Sequence, residues 1–434
     1  MKTNELILYR DFRYQKLFES MESLLTERGP EDLRFSCVHQ LIELAVTYGF
    51  SGNLYHCFLA FCLANHENAY STSCEILGPA GGSLDELARN DFAIFKELFD
   101  YDIRVLDREA ESGLWHLIAN YQAARENSRV FNKRIRDRIV ELAVSLEHAA
   151  DVREFQRDVT QFYREFGVGK FGLNKAFRIL EKDEQAYIDP ITSIEHIYLK
   201  DLVGYELQKK KLVENTEAFI EGREANNVLL YGDAGTGKSS SIKAILNQYY
   251  DRGLRIIEVY KHQFRALSDV LEQVKDRNYK FIIYMDDLSF EESELEYKYL
   301  KAIIEGGLGK KPKNVLIYAT SNRRHLIRES FRDKRQLSDD EIHANDTVQE
   351  KLSLVARFGV TIYYGAPEPK EFKEIVRVLA RRSHLSIPED ELLQKANQWE
   401  LNHGGLSGRT AAQFITYLLG TGENLDQKKE DKEE

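Results

Sequence analysis

The octapeptide Gly232-Asp233-Ala234-Gly235-Thr236-Gly237-Lys238-Ser239 constrains this chain more than any other stretch. It fits GxxxxGK[ST] at every specified position, directly after the apolar run Val228-Leu229-Leu230-Tyr231 and directly before a helix-compatible segment. Glycines let successive backbone N–H groups converge on a phosphate, and the N-terminus of the following helix adds positive potential. In such a loop Lys238 reaches the β- and γ-phosphates of a nucleoside triphosphate, and Ser239 ligates magnesium. The expected ATP contacts are therefore Gly232, Asp233, Ala234, Gly235, Thr236, Gly237, Lys238, Ser239 and the adjoining Ser240, with Mg²⁺ as the second cofactor. A glycine-rich turn that binds nothing is the competing reading, and the strand-loop-helix order argues against it.

Two further strand ends point at the same place. Phe281-Ile282-Ile283-Tyr284-Met285 runs into Asp286-Asp287, and an apolar strand ending in an acid fixes a carboxylate at the C-terminal edge of a sheet. Asp286 is expected to serve the metal, and Asp287 to orient or deprotonate the attacking water, where a glutamate is the commoner choice. Both are also compatible with capping a helix. Val315-Leu316-Ile317-Tyr318-Ala319 ends in Thr320-Ser321-Asn322. If that strand lies between the other two, Asn322 stands level with Asp287; spacing alone does not give strand order.

Up to about residue 185 apolar residues recur at three- and four-residue spacings, which predicts helices. Asp189-Pro190 lies in a stretch with little periodicity and marks the expected junction. Beyond it five short apolar runs, at 228–231, 255–259, 281–285, 315–319 and 360–364, alternate with helical segments, and after Pro369 only helical patterns remain. The expected architecture is α/β: a parallel five-stranded P-loop sheet with a C-terminal helical lid, preceded by an all-α N-terminal domain. The expected bounds are 1–190, 191–368, 369–422 and a charged tail, 423–434.

With 434 residues, 43% of them hydrophobic and 30% charged, the chain exceeds one ordinary core and has a globular balance. A net charge of -11 argues against nucleic acid and anionic lipid as whole-protein partners. Cys37, Cys57, Cys62 and Cys74 lack paired metal-site spacing and read as reduced thiols. No apolar leader or membrane-length run is visible, so a cytoplasmic location is expected.

Together these elements resemble the AAA+ ATPases over about residues 195–420, with the P-loop as Walker A, Phe281 to Asp287 as Walker B and Asn322 as sensor 1. The stretches DDLSF, ATSNRRHL and SGRTAAQF look more narrowly like a bacterial AAA+ family known mainly by its sequence. The resemblance implies that Val203 and Gly204, in Leu202-Val203-Gly204-Tyr205, face the adenine. It implies that Arg409 is the sensor 2 arginine of the lid. It places Arg357 as an arginine finger for a neighbouring subunit, with Arg323, Arg324 and Arg328 as rivals and Ala356 where an acid is expected. The catalytic set is then Asp287, Asn322, Arg357 and Arg409.

Three other stretches admit a second reading. Gly167-Val168-Gly169-Lys170-Phe171-Gly172 fits GxGxxG without a preceding strand and reads as a helix-breaking loop. The polar segment 328–350 reads as a solvated excursion, with a mobile loop or partner-contact insertion as the alternative, and Gly309-Lys310-Lys311-Pro312-Lys313 as a small basic turn whose footprint on a phosphate backbone would be slight. The expected function is ATP hydrolysis by a homo-oligomer, coupled to remodelling a protein partner held by the N-terminal domain. A slow nucleotide switch or scaffold, and a nucleic-acid loader or motor, are the alternatives.

Overall fold

The computed structural model describes residues 3–11, 13–27, 31–79, 81–107, 113–123, 133–182, 185–192, 194–290, 294, 296–305, 312–322, 326 and 354–421. The chain divides into two compact units, Met1–Asn174 and Lys175–Glu434. No helix among the described residues is long and apolar enough to cross a membrane.

The first unit is helical. It contains α1 (Gln15–Glu27), α2 (Glu31–Tyr48), α3 (Leu54–Asn65), α4 (Ala69–Leu77), α5 (Ser83–Asp100), α6 (Leu114–Ala119), α7 (Lys133–His148), α8 (Val152–Phe166) and α9 (Gly169–Leu173). Helix α3 is buried along its whole length from Leu54 to Ala64, which makes it the centre of this unit's core. Its start is fixed by Asn53, whose side chain accepts the N–H groups of Tyr55 and His56. The N-terminal strap is held by Asp91, whose fully buried carboxylate accepts the N–H groups of Ile7, Leu8 and Tyr9 at 2.7 to 3.1 Å. The four cysteines are buried and unbridged. The GxGxxG stretch is the α8–α9 corner, where a side chain on Gly172 would press on the Gly167 backbone at 2.8 Å.

The second unit is built on a seven-stranded sheet: β1 (Ala176–Lys182), β2 (Gln185–Pro190), β3 (Val228–Gly232), β4 (Leu254–Glu258), β5 (Lys280–Met285), β6 (Val315–Ser321) and β7 (Val360–Tyr364). The order is β2-β1-β4-β5-β6-β3-β7, with only the β1–β2 pair antiparallel. All five expected strands are present and parallel. Val228, Leu229 and Leu230 have no exposed surface, as a strand covered on both faces requires, and burying each contributes about 1.5–3 kcal/mol.

The expected junction is displaced. Residues 176–190 are a hairpin that extends the sheet, since β1 pairs with β4 through Ala176↔Ile256, Phe177↔Ile257 and Arg178↔Glu258. The all-helical reading therefore ends at Asn174 rather than residue 190. The physical cause is a period of two: Phe177 and Ile179 on β1, and Ala186 and Ile188 on β2, turn inward, while Leu180 and Tyr187 face outward.

Helices α10 (Glu206–Ile220), α11 (Lys238–Tyr249), α12 (Leu267–Val274) and α13 (Glu296–Glu305) accompany the strands. After β7 come the lid helices α14 (Pro369–Arg382), α15 (Glu389–Asn402) and α16 (Gly408–Thr421). Phe372, Ile375 and Val376 of α14 share one small core with Leu392 and Ala396 of α15 and with Ala411, Phe414 and Leu418 of α16. The 328–350 segment, Gly309 to Lys311 and the 423–434 tail lie outside the described residues.

Candidate active site

Strand β6 lies between β5 and β3, so three C-terminal strand ends converge on one point of the sheet edge. The P-loop leaves β3 with three residues in backbone conformations that favour glycine: Gly232 at φ +135°, Gly235 at +74° and Gly237 at +94°. A Cβ on Gly232 would lie 2.1 Å from the Tyr364 carbonyl oxygen, so β7 leaves room for nothing larger. The loop is tied down beside it: the Asp233 N–H donates to Tyr364 O at 2.9 Å, and the Asp233 carboxylate accepts the Ala366 N–H at 2.7 Å.

Helix α11 begins at Lys238 with no side-chain cap, which leaves its first N–H groups directed at the loop. Lys238 is buried, and its ammonium donates to the carbonyls of Gly232 at 2.9 Å and Asp233 at 2.6 Å. Burial pushes its pKa down, Arg409 adds to that, and Asp233, Asp287 and Asp286 oppose it.

Ser239 Oγ donates to Asp286 Oδ1 at 2.7 Å. Thr320 Oγ1 also donates to that oxygen, at 2.5 Å, and accepts the Asp287 N–H at 2.9 Å. Partial withdrawal from water pushes the Asp286 carboxyl up, but the hydrogen bonds from Thr320 and Ser239 outweigh it and hold the group below its ordinary value. A hydroxyl and an ionised carboxylate side by side form a hard-oxygen donor pair that suits Mg²⁺. Asp287 sits in the left-handed region at φ +49°, and its Oδ1 accepts from Asn322 Nδ2 at 2.8 Å. That turn lifts the second carboxylate away from Asp286 and toward the end of β6.

The lid touches the loop directly. The Arg409 N–H donates to Gly235 O at 3.1 Å, and a Cβ on Gly235 would lie 2.9 Å from Arg409 Cβ and from Ser407 Oγ. Val203 packs against the lid core, and Leu202 lies 3.9 Å from where a Cβ on Gly237 would be. Gly204 carries φ +79° and Tyr205 stacks on Tyr364 at 5.1 Å, its hydroxyl donating to Gly365 O at 2.8 Å. Arg382 of α14 donates to the carbonyls of Lys200 and Asp201, so the same segment bridges loop and lid.

Lys238, Ser239, Asp286, Asp287, Asn322 and Arg409 are thus brought together. Arg357 is not. It precedes β7, and the parallel register Val228↔Val360 and Gly232↔Tyr364 puts it at the sheet edge opposite the P-loop. Arg323, Arg324 and Arg328 lie outside the described residues. Thr320 was missed by sequence reasoning as a functional residue, although it stands next to Asn322 at the end of an apolar strand.

The model of the family described as "Protein of unknown function (DUF815)" matches residues 173–422. The chain belongs to that family. The match begins at the hairpin and ends with the lid, so it covers the described second unit. The module is an α/β fold with a mostly parallel sheet, seven-stranded here, and a helical region before it. Among curated proteins, the replication factor C large subunit of Staphylothermus marinus is 34% identical over 73 residues, 17% of this chain and 16% of that protein. Its counterpart from Aeropyrum pernix is 35% identical over 74 residues, 17% of this chain and 15% of the relative. The chain thus spans about a sixth of the length of these relatives. Among solved structures, Thermotoga maritima RuvB, a Holliday junction branch migration motor, aligns at 17% identity with a TM-score of 0.33, over 50% of this chain and 63% of that one.

Proposed function

We propose that this protein is a magnesium-dependent AAA+ ATPase that assembles into homo-oligomers in the cytoplasm and uses hydrolysis to remodel a macromolecular partner. The observation that carries hydrolysis is the Asn322–Asp287 hydrogen bond of 2.8 Å beside the Ser239–Asp286 pair. A carboxylate held that way, next to a phosphate loop, is placed to orient a water and accept its proton. Asn322 keeps Asp287 from swinging back onto the metal-binding carboxylate. Lys238 and Arg409 supply positive charge where the phosphoryl oxygens gain negative charge, with no covalent intermediate. Ser239 and Asp286 would hold magnesium, which when bound neutralises phosphate charge. Val203 and Gly204, on the segment between loop and lid, face the base.

Arg357 is read as the finger because its position away from the P-loop of its own chain suits delivery to a neighbour's γ-phosphate. The helical unit is read as the module that holds a protein partner. A net charge of -11 weighs against nucleic acid. Phosphate release with ATP and Mg²⁺, measured over a range of protein concentration and with and without DNA, tests the proposal. Turnover per subunit that rises with concentration and ignores DNA supports it; bound ATP with no release contradicts it.

The direct hydrogen bond between Arg409 and Gly235 favours a second reading, a nucleotide-dependent switch with little turnover, because loop occupancy is transmitted straight to the lid. If the parent and Asp287→Asn release phosphate equally slowly while the lid still responds to ATP, this reading replaces the first.

A further inference from the structure

We propose that the helical unit binds a small phosphorylated ligand, one that also carries a hydroxyl or amine donor, in a cavity between α8 and the turn joining α4 to α5. The cavity measures about 550 Å³, the size of a metabolite site. Four arginines line it, Arg89, Arg153, Arg157 and Arg164, against two acids, Asp85 and Glu165, in a chain whose net charge is -11.

Three of those arginines come from one helix. Positions 153, 157 and 164 fall on a single face of α8, where like charges four apart repel. Arg157 is neutralised by Glu154 at 2.7 Å and Asp158 at 3.4 Å. Arg153 and Arg164 make no ion pair among the described residues, and Arg89 uses its Nε on Gln156 Oε1 at 3.1 Å rather than on an acid. Guanidinium forks left in this state match the oxygens of a phosphate group, and a bound phosphate relieves the repulsion.

The floor is polar, buried and fixed. Tyr70 is 1% exposed, Thr160 6% and Gln156 8%. The Tyr70 and Thr160 hydroxyls lie 2.8 Å apart, and Gln156 Nε2 donates to the Tyr70 hydroxyl at 3.2 Å and to Asp85 O at 3.2 Å. Purely apolar side chains would have filled this space more stably if packing were its role. Asp85 supplies the selectivity: its Oδ1 is shielded from water and accepts no hydrogen bond from the protein. A small rotation of the carboxylate turns that oxygen to the cavity, where a ligand hydroxyl or amine gives it the missing donor.

The test uses the full chain carrying Lys238→Ala, so that the P-loop contributes nothing, and titrates it calorimetrically with glucose 6-phosphate, glucose and inorganic phosphate. Glucose 6-phosphate is expected to bind, at least about tenfold more tightly than inorganic phosphate, and glucose not to bind. Arg153→Gln with Arg164→Gln is expected to weaken binding at least about tenfold at unchanged thermal midpoint, and Asp85→Ala to close the gap between the two phosphates. Hydrogen exchange of the unmutated arginine site reads the same question without those substitutions: glucose 6-phosphate is expected to slow exchange across residues 152–166. No binding of either phosphate at millimolar concentration, equal binding by the double-arginine variant, or unaltered exchange in α8 would overturn the proposal.

Discussion

Lys238 is a buried ammonium whose only hydrogen-bond acceptors in the described structure are two loop carbonyls, Gly232 O and Asp233 O. Those are neutral partners for a cation, so a triphosphate is the stronger one, and Lys238→Ala is expected to abolish ATP binding in a filter or fluorescence assay. Asp287→Asn keeps the shape and removes the base. Phosphate release should fall roughly 100-fold or more with ATP affinity retained. Asp286 gives a pH prediction. Its carboxyl is held below the ordinary value, so its stabilisation is fully present above that value and is lost as pH falls through the depressed one. Thermal midpoints of the parent and Asp286→Asn, compared across acid pH, should therefore converge as pH falls below the ordinary carboxylate range. At this scale the P-loop, Asp286, Asp287 and Asn322 were legible because each ends or follows an apolar strand. Thr320 was not, because a threonine inside a β run looks like an ordinary strand former until the strand order sets it against Asp286.

Among the elements, the contact of α16 with the P-loop is the most exacting. Gly235 has no room for a side chain between its own loop, Ser407 and Arg409. Gly235→Val should push the lid off the loop, weaken ATP binding, and destabilise the fold by about 1–3 kcal/mol in denaturant titration, since the new side chain adds a clash to an unfavourable φ. The five strands β3 to β7 were legible from their β-branched and aromatic runs. The β1–β2 hairpin was not read, although Phe177, Ile179, Ala186 and Ile188 alternate with outward residues. Its connection, Asp183-Glu184, carries neither the glycine nor the asparagine that marks a tight hairpin, and seven- and six-residue strands give little periodicity to weigh against a helical neighbourhood. The displacement of Arg357 from the loop was equally invisible, because it follows from the β3–β7 register.

For the whole molecule, each unit has its own core: Leu59, Phe92 and Phe155 in the first, Leu230, Ile245 and Ile282 in the second. Removing Met1–Asn174 should leave ATP binding by the remainder intact, checked by titration of the truncated chain. A P-loop site that lacks the proposed finger of its own chain raises the question of whether the working unit is an assembly. Steady-state phosphate release by the full chain with ATP and Mg²⁺ at increasing protein concentration tests the proposed hydrolysis most directly. Release is expected to rise more than linearly with protein, to disappear in Lys238→Ala and to drop sharply in Asp287→Asn and Arg357→Ala. Release no greater than that of Lys238→Ala at every concentration, while the parent still binds ATP, would contradict it.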